Sequence, residues 1–167
     1  MSVILHTSLG DIKVELRPDL VPKTCFNFLA LCAGNSYDNT LFHRVVKGYL
    51  IQGGDTETST GRSGKAVHPC LPEFHADLKH DAIGTVGMCT TREIPSTSQF
   101  YITLGSQPEL DDNFTVIGYV ISGTDVLNKI AAVDVDSNHR PLEKVMLRKT
   151  TIRSNPFATE QVTVPKF

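Results

Sequence analysis

Apolar and polar residues alternate from Ile12 onward, with Ile12, Val14 and Leu16 set against Lys13, Glu15 and Arg17. A period of two predicts a strand with one buried face. Residues 3–6 precede it across Thr7-Ser8-Leu9-Gly10, so the two stretches are expected to pair as a hairpin. After Pro22 the period changes. Proline suits a first helical position, where its missing N–H is not needed. Cys25, Phe28, Leu29, Cys32 and Ala33 then share one helical stripe, and Gly34-Asn35 ends it. Two short apolar runs, 41–46 and 49–51, flank Lys47-Gly48 and predict a second hairpin. A stretch rich in Thr, Ser, Gly and Pro, 56–72, reads as a long surface loop. Strands are expected at 83–88 and 99–104, with an irregular loop at 90–98 that holds one proline. Another is expected at 114–121, with Gly118 as a candidate bulge. Thr124 is expected to cap a short helix with Leu127, Ile130 and Ala131 inward, ahead of a last strand at 144–153. The polar tail, 154–167, is expected to fray. There is no internal repeat and no domain linker. Many short strands with two helices argue for a closed barrel, which hides sheet edges.

The central hairpin carries two polar residues that a buried strand should not have. Arg44 sits inside the first run, and Gln52 ends the second, just before Gly53-Gly54. On rigid strands among apolar side chains, a cation and an amide can form the polar centre of an apolar pocket. An exposed edge-strand arginine and a loop glutamine fit the same pattern.

Composition narrows the class. At 167 residues the chain suits one domain with a sizeable core, and 40% hydrophobic with 20% charged residues is ordinary for a globular protein. A net charge of −2 gives no sign of a phosphate-binding surface or of direct nucleic-acid binding. No segment approaches the roughly 20 apolar residues of a membrane span, and residues 1–6 lack a basic n-region and a long apolar core. Nucleus or cytoplasm is therefore expected, with Cys25, Cys32, Cys70 and Cys89 as free thiols.

Other chemistry fails on spacing. The stretch Gly61-Arg62-Ser63-Gly64-Lys65-Ala66 lacks the first glycine and the final hydroxyl of a phosphate loop. Asp134-Val135-Asp136-Ser137-Asn138 is followed by His139 where a calcium loop needs glycine, and by Val145 where it needs glutamate. His68, Cys70 and His75 have no second pair at zinc-ligand spacing. No metal and no cofactor is expected. No nucleophile, base and orienting acid can be assembled either.

A second stretch, Ser98-Gln99-Phe100-Tyr101-Ile102-Thr103, adds another strand opening on an amide. Together with Phe42-His43-Arg44 and the Tyr49 to Asp55 run ending Gln52-Gly53-Gly54-Asp55, it resembles the cyclophilins, a family of peptidyl-prolyl cis-trans isomerases. The resemblance runs from Leu5 to Ala158, and both ends look most like the small cyclophilin J subgroup. It implies an eight-stranded antiparallel β-barrel with one helix over each end, occupying 1–158 and followed by a tail at 159–167. It implies action on proline-containing peptides or proteins, and a monomer is expected. Arg44 matches the family's catalytic arginine, and Gln52 the glutamine that steadies it. Tyr49, Leu50, Tyr101 and Leu110 match the apolar wall around the proline ring. Thr90 and Thr91 match the segment whose backbone pairs with the peptide, and Gly61 and Gln99 match other site positions. Cys89 is expected at the pocket rim as the most alkylable thiol, and Phe114 stands where most members carry histidine.

Several residues depart from the family pattern. Tyr49 and Tyr101 bring hydroxyls that need partners. Glu109 stands where the best-known members have tryptophan, which implies weak binding of cyclosporin-type ligands. The segment 92–97 and the segment 69–74 differ from the family around the second pocket, which samples residues before the proline. Two functions follow from the resemblance: an isomerase of exposed X–Pro bonds, or a weakly active proline-binding adaptor in a spliceosomal or other nuclear assembly.

Overall fold

The computed structural model describes residues 1–94, 97–155 and 157–167; Pro95 and Ser96 of the predicted 90–98 loop, and Pro156 of the tail, lie outside the described residues. The chain forms β1 (Ser2–Thr7), β2 (Gly10–Leu16), α1 (Pro22–Ala33), β3 (Thr40–Leu41), β4 (Arg44–Val46), β5 (Leu50–Gly53), β6 (Thr85–Met88), β7 (Phe100–Thr103), β8 (Val116–Ser122), α2 (Thr124–Ala131) and β9 (Met146–Ile152). A 3-10 turn, Pro108–Leu110, precedes β8. All strand pairs are antiparallel, in the order β3-β9-β1-β2-β8-β6-β7-β5-β4. The two outermost strands, β3 and β4, are separated in the chain by Phe42 and His43 alone. The sheet therefore curls far enough for its two edge strands to be bridged by this two-residue link, with no ladder between them among the described residues. The fold is mainly β with two helices, and the run predicted as one strand at 41–46 is split at this seam.

Inside the curl, Val45, Ile51, Ile102 and Val86 lie in register across β4, β5, β7 and β6, and all are fully buried. α1 packs against β9, and α2 against β2 and β4. The α1 stripe buries Cys25, Phe28, Leu29 and Cys32 as expected, with Leu31 added, while Ala33 is exposed. α2 buries Val126, Leu127 and Ile130 rather than Ala131. Its cap is Gly123, at φ 97°, and Thr124 makes no capping bond. Gly118 is not the bulged residue. The register between β6 and β8 skips Ile117, since Val86 faces Gly118 and Gly87 faces Val116. A side chain at Gly118 would place its Cβ 1.9 Å from the Glu15 carbonyl oxygen, so this glycine serves the close approach of β2.

The irregular stretch runs further than predicted, with no helix or strand between Gly53 and Thr85. The tail corrects a sequence expectation outright. Phe157 is buried and meets Phe26 edge-on at 5.1 Å, and Phe167 stacks on His68 at 4.9 Å. Aromatic contacts of this kind draw the tail onto α1 and the long loop instead of leaving it frayed. Among the described residues no helix is long and apolar enough to cross a membrane.

Candidate active site

Strand pleating puts neighbours on opposite faces. While Val45 and Ile51 point into the core, Arg44 and Gln52 share the other face. The register pairs Arg44 with Gln52, Gln52 with Tyr101, and Tyr101 with Gly87, a row across four strands. Leu50, two residues before Gln52, lies on the same face. Leu50, Tyr101 and Leu110 form a buried cluster separate from the main core, with Tyr49, Cys89 and Phe114 packed against it. A half-buried cation, an amide and a small apolar cluster thus stand side by side on the outside of the sheet.

Arg44 is held by a directional chain. Its Nη1 donates to Gln52 Oε1 at 3.2 Å, Gln52 Nε2 donates to Gln99 Oε1 at 2.9 Å, and Gln99 Nε2 donates to the carbonyls of Gly61 and Ser63 at 2.9 and 2.7 Å. Carbonyls only accept, so Gln99 must turn its NH2 toward them. Its oxygen then fixes the Gln52 amide, whose oxygen faces Arg44. The guanidinium also lies 5.8 Å from the Tyr49 ring centre, a cation–π distance.

The two carbonyls are themselves fixed by Asp55, which is fully buried. Asp55 Oδ1 accepts the N–H groups of Glu57 and Thr58 at 3.1 and 2.9 Å. Oδ2 accepts those of Thr60, Gly61 and Ser63 at 3.2, 3.0 and 3.2 Å, and also the Thr58 hydroxyl. Burial works to raise the Asp55 carboxyl, but this ring of donors outweighs it and holds the group well below the usual carboxylate range. Asp55 lies in the quoted motif, yet its role as the hub of loop 55–63 was not read from the sequence.

Behind the apolar cluster lies a second polar set that the sequence did not reveal. The Tyr101 hydroxyl meets His80 Nε2 at 2.5 Å, and His80 Nδ1 meets Asp111 Oδ1 at 2.7 Å. Asp111 Oδ1 also accepts the His80 backbone N–H at 2.8 Å. Burial raises the Asp111 carboxyl and these His80 donors more than offset it, so the group is lowered. With Nδ1 against the carboxylate, Nε2 is the ring atom that faces the Tyr101 hydroxyl. The extra hydroxyl of Tyr101 therefore turns away from the cluster, whose open face stays apolar. Burial pushes this phenol up from its ordinary value. No spacing rule in the sequence links residues 80, 101 and 111.

The remaining predicted residues divide. Gly61 and Gln99 join the chain that holds Arg44. Phe114 meets Tyr101 edge-on at 6.0 Å. Thr90 is buried, and the Thr91 N–H donates to the Ile94 carbonyl at 2.8 Å, an internal use of a group expected to face a peptide. Cys89 lies beside the cluster as expected, but burial pushes its thiol up to about 12, which opposes the predicted reactivity. Among the described residues no group of three His, Cys, Asp or Glu side chains could hold a metal ion.

The family model described as "Cyclophilin type peptidyl-prolyl cis-trans isomerase/CLD" matches residues 2–152. The chain belongs to the cyclophilin-type peptidyl-prolyl cis-trans isomerase family. It is 46% identical to a Dictyostelium discoideum protein named peptidyl-prolyl cis-trans isomerase-like 3, over 96% of this chain and 100% of that protein. A human protein of the same name is 45% identical over 95% of this chain and 99% of its own length. The fold matches a Cryptosporidium parvum cyclophilin-type isomerase solved in the presence of the dipeptide Ala-Pro, with a TM-score of 0.88 and 36% identity over 93% of this chain and 100% of that one.

Proposed function

We propose that this cyclophilin isomerises X–Pro peptide bonds in exposed segments of other proteins, with Arg44 as the catalytic group. The observation that carries the reading is the outer-face row, which sets the Arg44 guanidinium beside the Leu50–Tyr101–Leu110 cluster. In this reading the cluster, with Tyr49, Cys89 and Phe114, takes the proline ring. No covalent bond breaks; the barrier of about 18–20 kcal/mol is the lost amide resonance. As the bond twists, the prolyl nitrogen becomes pyramidal and regains a lone pair. A fixed donor interacts more strongly with that nitrogen than with the planar one, and so lowers the barrier. A guanidinium suits the task because it stays charged and offers a rigid fork of donors. Gln52 positions the fork while one donor is given to Gln52 and others remain for the substrate. Peptide pairing falls to the Thr90 backbone and the Thr91 carbonyl, since the Thr91 N–H is taken. The Ala-Pro dipeptide used with the Cryptosporidium relative supports proline as the ligand.

Arg44→Ala is expected to lower kcat/KM for a proline tetrapeptide at least tenfold, about 1.4 kcal/mol of transition-state stabilisation, with an unchanged circular dichroism spectrum. Activity within about twofold of wild type overturns the assignment.

A second reading, a proline-binding adaptor in a nuclear assembly such as the spliceosome, is favoured by the internally used Thr91 N–H. Tight binding of a proline peptide without turnover distinguishes it. Cyclosporin-type ligands are expected to bind weakly under either reading. Glu109 is exposed on the 3-10 turn, where it offers a solvated carboxylate and no apolar face. Calorimetry should give micromolar or weaker affinity, tightened by Glu109→Trp; nanomolar binding by the unaltered protein refutes this.

A further inference from the structure

A cavity of about 400 Å³ opens beside Arg44, lined in part by Gln52 and Gly61 and by no residue of the apolar cluster. Its lining includes Arg44, Arg62 and Arg140, together with His43, Thr60 and Asn138, and no Asp or Glu. Three guanidinium groups around one opening are unexpected in a chain of net charge −2, and the overall charge hides them. Among the described residues none of the three forms an ion pair. Arg44 donates to the neutral Gln52 amide. Arg140 Nη2 donates to the neutral Thr60 carbonyl at 2.7 Å, which ties it across the opening. Arg62 is exposed.

The nearby acids, Asp55 and Asp136, lie outside the lining, although Asp136 attracts Arg140. The Asp55 carboxylate is buried and filled by N–H donors. Asp136 Oδ1 accepts the backbone N–H groups of Asn138 and Arg140 at 2.8 and 3.0 Å, outside the lining. The excess positive field reaches His43, which is 8% exposed and whose Nδ1 has no partner among the described residues. Burial and then Arg140 lower its pKa, Asp55 opposes them, and Arg44 adds a smaller lowering. Like charges gathered this way repel, and an anion among them relieves the repulsion. Guanidinium forks match carboxylate and phosphate oxygens two at a time.

We propose that this cavity is an anion subsite continuous with the catalytic arginine, so that the protein selects proline segments carrying a carboxylate or phosphate side chain near the proline. The inference rests on the isomerase reading and adds the class of substrate. Neither the resemblance nor the net charge pointed to it.

The test is a set of proline peptides with Glu, phosphoserine, Ala or Lys at each of three positions before and after the proline. At one or more positions, kcat/KM for the Glu or phosphoserine peptide is expected to exceed that of the Lys peptide at least about fivefold, a preference that shrinks with added salt. The Glu and phosphoserine arms show which anion is preferred. In Arg62→Glu and Arg140→Glu the preference is expected to turn toward Lys. Arg62 is exposed, so Arg62→Glu serves even if loss of the Arg140 to Thr60 bond disturbs the loop. Turnover of the Ala peptides with acidic and Lys peptides within about twofold at every position overturns the subsite and leaves the isomerase reading intact. No turnover of any peptide overturns the isomerase reading instead. Fluorescence anisotropy on the same peptides then decides the subsite: acidic peptides bound at least about threefold tighter than Lys peptides support it, and equal binding overturns it.

Discussion

Arg44 and Cys89 show how much of a residue's chemistry depends on what is packed around it. A guanidinium is a donor whatever surrounds it, and Arg44 donates to Gln52. A thiol is different, because only its ionised form is a nucleophile. Cys89 was expected to react first because it ends a strand beside the site. Burial pushes it and Cys32 up to about 12, and pushes Cys25 up as well. Cys70 in the long loop and Cys89 are both half-buried, but Cys70 is raised less. Brief iodoacetamide treatment followed by peptide mapping is therefore expected to find Cys70 labelled before Cys89. Earlier labelling of Cys89 would mean that its partial exposure outweighs its raised pKa.

At the scale of elements, the site depends on pairing register. A one-residue slip of β4 against β5 would carry Arg44 into the core and expose Val45, while β5 stayed fixed by β7. The row ends at Gly87, which faces Tyr101 across β6 and β7. A Cβ at Gly87 would stand 2.2 Å from the Tyr101 hydroxyl and 2.3 Å from its ring carbon Cζ. The ring cannot move without giving up the contact of its hydroxyl with the buried His80. Gly87→Ala should force the ring outward into the groove, with a stability loss of about 1–3 kcal/mol. It should also raise KM for proline peptides at least about threefold. A thermal melt with a peptide titration checks both, and an unchanged KM would mean that Tyr101 does not form the groove wall.

For the whole molecule, acid sensitivity follows from two lowered carboxyls. Asp55 holds loop 55–63 and Asp111 holds His80. A carboxyl whose folded pKa lies below its unfolded value, about 3.9 for Asp, stabilises the fold above that value. The contribution disappears as pH falls through the folded value. Stability is thus expected to be flat from these groups at neutral pH and to decline below about pH 4. Asp55→Asn should lower stability by about 2–3 kcal/mol at pH 7 and flatten the acid limb. Melting temperatures from pH 7 to pH 2 test this. A variant whose acid limb matches wild type would show that Asp55 is not the group responsible.

Much of the architecture was legible because it is local. The β1–β2 hairpin follows from alternation, and α1 from Pro22 and a stripe closed by Gly34-Asn35. The polar pair Arg44 and Gln52 stood out against apolar runs, and the motif around them identified the family. What tertiary structure alone decided depends on contacts between distant residues. The split of 41–46 follows from the sheet order, which puts β3 and β4 at opposite ends. The tail was expected to fray, yet Phe157 and Phe167 find Phe26 and His68. The Tyr101–His80–Asp111 set, and the gathering of Arg62 and Arg140 around Arg44, join segments far apart in the chain. Periodicity reports which face of an element is buried. It does not report which side chains from other elements arrive there, and that arrival sets the pKa of Cys89, the orientation of the Tyr101 hydroxyl and the charge of the cavity beside Arg44.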